Sequence, residues 1–96
     1  MTKQETVLER REEILSLARQ HGMKSIRMFG SVATGRENEA SDVDFLVEAE
    51  PGRSLLDLGG LQVDLEELLG CQVDVVTPNG LRRRLRSRVL REAVLV

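Results

Sequence analysis

The spacing of hydrophobic and polar positions changes along the chain, and each change marks a predicted element. Residues 4–21 carry apolar side chains at helical spacing, which predicts an amphipathic helix that stops at His21-Gly22. The short apolar run Ser25–Phe29 predicts a strand. Gly30-Ser31 then predicts a sharp turn that can open a short helix.

Residues 42–48 alternate apolar and polar side chains, which predicts a second strand. Its core face is expected to carry Val43, Phe45 and Val47, and its other face to carry Asp42, Asp44, Leu46 and Glu48. Pro51-Gly52 ends this strand. A leucine-rich helix is expected from the N-cap Ser54 to Gly70, with Gly59-Gly60 as a weak point.

Residues 72–77 predict a third strand, which Pro78-Asn79-Gly80 stops. A final helix is expected from apolar residues four apart, namely Leu81, Leu85, Val89 and Ala93. Leu95 and Val96 would add a short apolar tail. This order of elements predicts an α+β fold with a small mixed sheet, helices packed on one face, and the other face open for ligand.

Composition predicts one globular domain over residues 1–96. The chain is 41% hydrophobic with two phenylalanines as its aromatic residues, so the core must be built from leucine, valine and isoleucine. No apolar stretch approaches the length of a membrane span, and the first residues lack the apolar segment of a signal peptide. Cys71 is the one cysteine. A cytoplasmic protein without membrane contact is therefore expected.

Six arginines lie between residues 82 and 91, although the net charge is −2. Such a run can be a solvated helix face, or it can contact an acidic partner, a nucleic acid or a nucleotide. No aromatic side chains interleave with the arginines, so stacking of single-stranded bases is poorly supported. Direct nucleic-acid binding is not expected.

The chemistry of the chain is concentrated in residues 30–44. Asp42 and Asp44 are separated by one residue, so on a strand both point the same way with their Cα atoms roughly 7 Å apart. Two carboxylates so placed can share a pair of Mg²⁺ ions. Gly30-Ser31 would offer backbone N–H groups and a hydroxyl to phosphate oxygens.

Asp74 is a third candidate, because it lies between two valines in the third predicted strand. If Val73 and Val75 face the core, Asp74 faces the other side. A carboxylate in an apolar strand is costly unless that side forms a site.

The turn followed by these aspartates resembles the catalytic pattern of polymerase-beta-like nucleotidyltransferases. The spelling G-S-V-A-T-G-(x)5-S-D-V-D-F-L-V most resembles the minimal nucleotidyltransferases. The resemblance implies a nucleotidyltransferase fold in which Gly30 and Ser31 hold the β- and γ-phosphates of ATP. It also implies that Asp42 and Asp44 ligate two Mg²⁺ ions and that Asp74 ligates the catalytic one, with all three aspartates catalytic.

Three other residues near the turn enter this interpretation. The family commonly has an arginine where this chain has Thr34, which would weaken triphosphate binding. Arg36, two residues on, could reach the same phosphates or could be a loop charge in solvent. Ser41 is expected to stiffen the approach to Asp42 and is the remaining nucleotide-contacting candidate.

Members of this family are commonly antitoxins of HEPN-domain toxins. The resemblance implies transfer of AMP from ATP to a tyrosine of a HEPN ribonuclease, with which the chain could assemble as an oligomer. The chain contains no tyrosine, so the acceptor would lie on another chain. One alternative is a catalytically weak antitoxin that neutralises its toxin by binding alone. Another is transfer to a small molecule or an RNA end.

Overall fold

The computed structural model describes residues 2–96, which form a four-stranded mixed sheet and five α-helices. The helices are α1 (Lys3–Glu9), α2 (Arg11–Gln20), α3 (Gly30–Ala33), α4 (Leu55–Leu69) and α5 (Arg83–Glu92). The strands are β1 (Met23–Phe29), β2 (Val43–Ala49), β3 (Val73–Val76) and β4 (Val94–Leu95). The predicted α+β class and mixed sheet are confirmed.

The strands lie in the order β3-β2-β1-β4. β1 pairs antiparallel with both β2 and β4, whereas β2 and β3 are parallel. Parallel neighbours need a long crossover, and α4 provides it between β2 and β3. Because β1 runs opposite to β2, the end of β1 lies beside the start of β2. No helix described within residues 2–96 is long and apolar enough to cross a membrane.

The main core lies between one face of the sheet and the helices. Val43, Phe45 and Val47 of β2 are fully buried there, as the alternation in the sequence predicts. Leu61 and Leu65 of α4 belong to the same cluster. Leu46 points to the opposite face and is nevertheless only 3% exposed. The face that carries the aspartates is therefore covered at Leu46 rather than open along its whole length.

Helix α4 has the ends that the sequence predicts. The Ser54 side chain accepts a hydrogen bond from the backbone N–H of Leu56, and Gly70 ends the helix in the left-handed region at φ 69°. Gly59-Gly60 does not interrupt the helix. Gly60 faces the ring of His21, and a Cβ at this position would lie 2.9 Å from its Cε1 atom.

The predicted first helix is wrong in one respect, because residues 4–21 form two helices that meet at Arg10. The backbone of Arg10 has φ −94° and ψ 16°, and this bend separates two packing directions. α1 contacts α3, whereas α2 packs on β1 and α4. Hydrophobic spacing predicts that both segments are helical but does not indicate the bend.

The chain end also differs from its prediction. Of the four apolar residues expected to pack the final helix, only Val89 is buried, and Leu85 is half exposed. The expected apolar tail is the edge strand β4, whose Val94 pairs with Met28 of β1. Val96 is buried in the main core, and its carbonyl accepts a hydrogen bond from Nε of Arg11 at 2.9 Å.

Replacing Gly59 with alanine is expected to stabilise the protein by about 1 kcal/mol, because alanine loses less backbone entropy in a helix. A Cβ at Gly59 meets no atom within 4 Å. Gly60→Ala is the matched variant, and it should gain less or lose stability, because the new methyl group must displace the His21 ring. That ring is held by Asp64, whose Oδ2 lies 2.7 Å from Nε2 of His21. Urea unfolding of both variants measures the difference, and equal stabilisation would contradict the packing described for Gly60.

Candidate active site

Strand register brings the predicted turn and two of the aspartates to one edge of the sheet. Asp44 of β2 pairs with Asp74 on one side and with Phe29 on the other. Residues opposite one another in neighbouring strands point to the same face, with strands about 4.8 Å apart. Asp44 therefore lies between Asp74 and the residue that precedes the Gly30-Ser31 turn.

The turn approaches Asp44 directly. Gly30 has φ +79°, a left-handed conformation that favours glycine. A Cβ at Gly30 would collide with Oδ2 of Asp44. Only a residue without a side chain allows the turn and this carboxylate to come so close. Glycine is therefore favoured at position 30 both by the turn and by the close packing of Asp44.

Asp42 does not lie in the strand, as the sequence suggested, but immediately before it. β2 begins at Val43, whose N–H donates to the carbonyl of Gln72 at 3.0 Å. The charge of Asp42 still acts on Asp44. The side chain of Asp42 is half-buried, whereas Asp74 is exposed, with the buried Val73 beside it facing the core. All three aspartates thus lie at the same edge.

The proximity of the three aspartates disfavours the ionised form of Asp44. Burial raises the pKa of this carboxyl to about 6, and the negative charges of Asp74 and Asp42 add to the increase. A hydrogen bond with Asp74 contributes in the same direction. Burial and like charges both disfavour the ionised form. A bound cation would offset this repulsion.

The donor set fits a hard divalent cation, because it consists of carboxylate oxygens. The carboxylate of Asp44 is held against the turn at Gly30, where a Cβ would fill the space. Within residues 2–96 no three His, Cys, Asp or Glu side chains are grouped closely enough to hold a metal ion as they stand. The assignment of Asp42, Asp44 and Asp74 as metal ligands stays a prediction.

Thr34 and Arg36 form one connected group beside the turn. Nε of Arg36 donates to Oγ1 of Thr34 at 2.9 Å, and the Thr34 hydroxyl donates to the carbonyl of Gly30 at 3.1 Å. Ser31 is the second residue of α3, and no side chain caps the start of that helix. Arg36 is thus exposed but anchored next to Ser31, where a triphosphate is predicted.

Ser41 stabilises the loop before Asp42. Its Oγ accepts a hydrogen bond from the N–H of Asn38 at 2.9 Å, and its own N–H donates to the carbonyl of Asn38 at 3.0 Å. The expectation that Ser41 stiffens this approach agrees with these bonds. Sequence reasoning missed Lys3 and Glu37, which also hold this loop. Their types and spacing gave no signal, because they are 34 residues apart in polar segments.

The arginine run lies on α5 and the residue before it. Five of the six side chains are exposed, namely Arg82, Arg83, Arg84, Arg88 and Arg91. Arg86 is half-buried and donates from Nε to the carbonyl of Pro78 at 3.0 Å. Nε of Arg88 lies 3.2 Å from Oε1 of Glu92, one turn further along the helix. These contacts fit the solvated helix face better than a preformed ligand site.

Comparison with known sequences places the chain among nucleotidyltransferase domains. Residues 8–96 match the family model for the nucleotidyltransferase domain. A candidate protein adenylyltransferase of Methanocaldococcus jannaschii is 45% identical over 86 residues, which are 90% of this chain and 92% of that protein. Protein adenylyltransferase MntA of Thermococcus cleftensis is 42% identical over 94 residues, covering 93% of this chain and 95% of that protein.

Solved structures agree. A structure of a candidate minimal nucleotidyltransferase has a TM-score of 0.89 and 51% identity, covering 100% of this chain and 97% of that one. A toxin–antitoxin crystal structure with AMP-PNP has a TM-score of 0.74 and 24% identity, covering 88% of this chain and 69% of that one. This second likeness concerns the fold alone.

The raised pKa of Asp44 predicts how stability depends on pH. Between the ordinary value of 3.8 and about 6, the folded protein binds more protons at Asp44 than the unfolded chain does. The free energy of unfolding of the metal-free protein should therefore decrease as pH rises through this window, because Asp44 becomes ionised in the folded protein. Asp44→Asn should remove that loss and be more stable than the parent at pH 7. Glu67→Gln, on the exposed side of α4, is the control, and an Asp44→Asn profile parallel to the parent would contradict the electrostatics.

Gly30→Ala and Gly35→Ala form a second matched pair. Both glycines have positive φ, so each substitution should cost about 1–2 kcal/mol of stability through backbone strain. Only Gly30→Ala also displaces Asp44, since a Cβ at Gly35 meets nothing within 4 Å. Affinity for AMP-PNP with Mg²⁺, measured by calorimetry, should fall about tenfold or more for Gly30→Ala only. Equal losses would show that the Gly30 contact does not matter for binding.

Proposed function

Because the chain belongs to the nucleotidyltransferase domain family and is a nucleotidyltransferase, we propose that it is an antitoxin that adenylylates a partner HEPN ribonuclease toxin. The substrate is ATP with Mg²⁺, and the acceptor is a tyrosine hydroxyl of the toxin. The name of the Thermococcus relative and the toxin–antitoxin complex of similar fold support this choice.

One observation carries the proposal. Asp44 lies beside Asp74 in the sheet register and against Gly30 at the turn, with Asp42 two residues before it. Nucleotidyl transfer requires a turn that binds phosphate and a group of carboxylates, and here the turn proposed for phosphate adjoins the carboxylates. An isolated turn or an isolated pair of aspartates would not distinguish a transfer site from a loop.

In this proposal the tyrosine oxygen attacks the α-phosphorus of ATP. A new oxygen–phosphorus bond forms, the bond from the α-phosphorus to the bridging oxygen breaks, and pyrophosphate leaves. Asp74 accepts the proton of the tyrosine hydroxyl, because it is an exposed carboxylate at the edge that a partner can approach. Gly30 and Ser31 orient the β- and γ-phosphates through backbone N–H groups and the serine hydroxyl.

Mg²⁺ bound by Asp42, Asp44 and Asp74 would neutralise the charge that develops on the attacking and leaving oxygens. Asp44 must be ionised to bind it, so its raised pKa predicts weaker binding below about pH 6. Arg36, anchored by Thr34, supplies a positive charge next to the turn. It can contact the phosphates in place of the family's arginine at position 34, and Ser41 keeps Asp42 in place.

Two features bear on the acceptor. The chain contains no tyrosine, so a tyrosine acceptor belongs to another protein. Leu55 and Leu56 at the start of α4 are 84% and 86% exposed, and Val63 is exposed on the same side of the helix. A cluster of exposed apolar side chains on one helix is typical of a protein contact surface. We assign this surface to the toxin.

A second candidate, neutralisation of the toxin by binding alone, is favoured by Thr34. The Thr34 hydroxyl accepts a hydrogen bond from Nε of Arg36. This bond must break before all the N–H donors of Arg36 can bind phosphate. If that rearrangement is unfavourable, the site would turn over slowly and protection would depend on the complex itself.

The test is to incubate the chain with the HEPN protein encoded beside its gene, ATP and Mg²⁺, and to measure the intact mass of that protein. We expect added AMP on a tyrosine, and no addition when that tyrosine is replaced by phenylalanine. Asp44→Asn should slow transfer by about a hundredfold or more, the range typical for losing an electrostatic group. Glu12→Gln, an exposed residue of α2 outside the surface assigned to the toxin, should leave transfer unchanged.

The other outcomes are equally informative. A stable complex without added AMP, together with an Asp42→Asn, Asp44→Asn variant that still protects cells, would establish the binding-only candidate. Addition of AMP to an RNA end or a small molecule, with the toxin unmodified, would contradict a protein acceptor.

A further inference from the structure

The N-terminal end of α1 is fastened to the loop that leads into Asp42. Nζ of Lys3 donates to the backbone carbonyls of Glu39 at 3.0 Å and Asn38 at 3.5 Å, and to that of Ser41 in a short contact. These carbonyls come from the four residues that immediately precede Asp42. An ammonium group has three donors and no acceptor, so these contacts use all of them.

A second contact runs in the opposite direction, from the loop to the helix. The N–H groups of Lys3 and Gln4 donate to Oε2 and Oε1 of Glu37 at 2.9 and 3.0 Å. Glu37 thus accepts hydrogen bonds from N–H groups that have no partner within the helix. The helix dipole also favours a negative charge at this position. Nε2 of Gln4 adds a hydrogen bond to the carbonyl of Ala33 at 3.1 Å.

We propose that Lys3 and Glu37 are positioning residues that hold Asp42 in place for metal binding, an inference that rests on the proposed function. We call the pair the N-terminal clamp. The clamp closes at both ends of the loop, since Glu37 lies near its start and the carbonyl of Ser41 lies one peptide bond from Asp42. Neither residue contacts substrate in this role.

The geometry explains why a clamp is needed. Asp42 lies outside β2, so strand hydrogen bonds fix Asp44 but fix Asp42 only through the neighbouring Val43. Residues 38–40 are exposed and make no contribution to the core. Ordering each such residue costs about 1–2 kcal/mol of conformational entropy. Hydrogen bonds that involve a charged group are strong enough to offset much of that cost.

A direct role of Lys3 in phosphate binding fits the structure less well. The ammonium would have to leave three carbonyls to meet a phosphate, and those carbonyls would lose their charged donor. The clamp depends on the positive charge at position 3, and a lysine elsewhere does not replace it. Lys24, the other lysine of the chain, is exposed on β1 and forms no side-chain hydrogen bond within residues 2–96.

The test compares Lys3→Met, Lys3→Arg and the control Lys24→Met in the full chain. The first measurement is amide hydrogen exchange without nucleotide or metal. Exchange at Asn38, Ala40 and Ser41 should be about tenfold faster or more in Lys3→Met, because their N–H groups are bonded only within the loop. Core amides such as those of Phe45 and Leu65 should be unchanged, which establishes that the variant is folded.

The second measurement is the affinity for Mn²⁺ in the presence of AMP-PNP. It should fall about tenfold in Lys3→Met, the lower end of the range typical for residues that orient metal ligands. Lys3→Arg should lie between Lys3→Met and the parent, and Lys24→Met should match the parent. Glu37→Gln should weaken Mn²⁺ binding in the same direction.

Unchanged Mn²⁺ affinity in Lys3→Met, with the parent binding normally, would overturn the clamp and leave the proposed function intact. Faster exchange without a loss of affinity would do the same, because Lys3 would then order the loop without contributing to metal binding. A parent that binds no Mn²⁺ with AMP-PNP would instead contradict the proposed function.

Discussion

The pairing of Asp44 with Asp74 across parallel strands is the constraint on which the site depends. Parallel register places two carboxylates side by side, and Asp42 adds a third negative charge. Without a cation this arrangement is unfavourable, as the raised pKa of Asp44 indicates. The core beneath it makes the arrangement possible, because Val43, Phe45 and Val73 are buried on the opposite face and fix both strands. Stability supplied by the core thus supports a locally unfavourable site.

The backbones of the three aspartates are held in place to different degrees. Asp44 and Asp74 belong to strands, so the hydrogen bonds of the sheet hold their backbones. Asp42 follows an exposed loop, and its backbone is held through the contacts of Ser41, Lys3 and Glu37. Two segments distant in sequence, α1 and the loop before β2, are thereby connected. In a small domain with a limited core, these polar contacts order a loop that the core does not reach.

Local patterns in the sequence predicted the parts of the fold whose physics is local. Alternation identified β2 and its buried face, and Ser54 and Gly70 identified both ends of α4. The bend at Arg10 and the pairing of β4 depend on distant contacts, so spacing alone could not reveal them. The candidate site residues were found through motif and resemblance, and the structure brings Gly30, Asp44 and Asp74 together. The clamp was missed because its contacts lie between backbone carbonyls and side chains more than thirty residues away.

The central claim is that the turn at Gly30 and the three aspartates form one nucleotide and metal site. Paramagnetic line broadening in ¹H–¹⁵N spectra tests it most directly, with Mn²⁺ and AMP-PNP added to the protein. The claim predicts that broadening is strongest at the amides of Gly30, Ser31, Asp42, Asp44 and Asp74, and that excess Mg²⁺ reverses it. Broadening centred on the arginines of α5, or on the exposed side of α4 around Glu67, would contradict it.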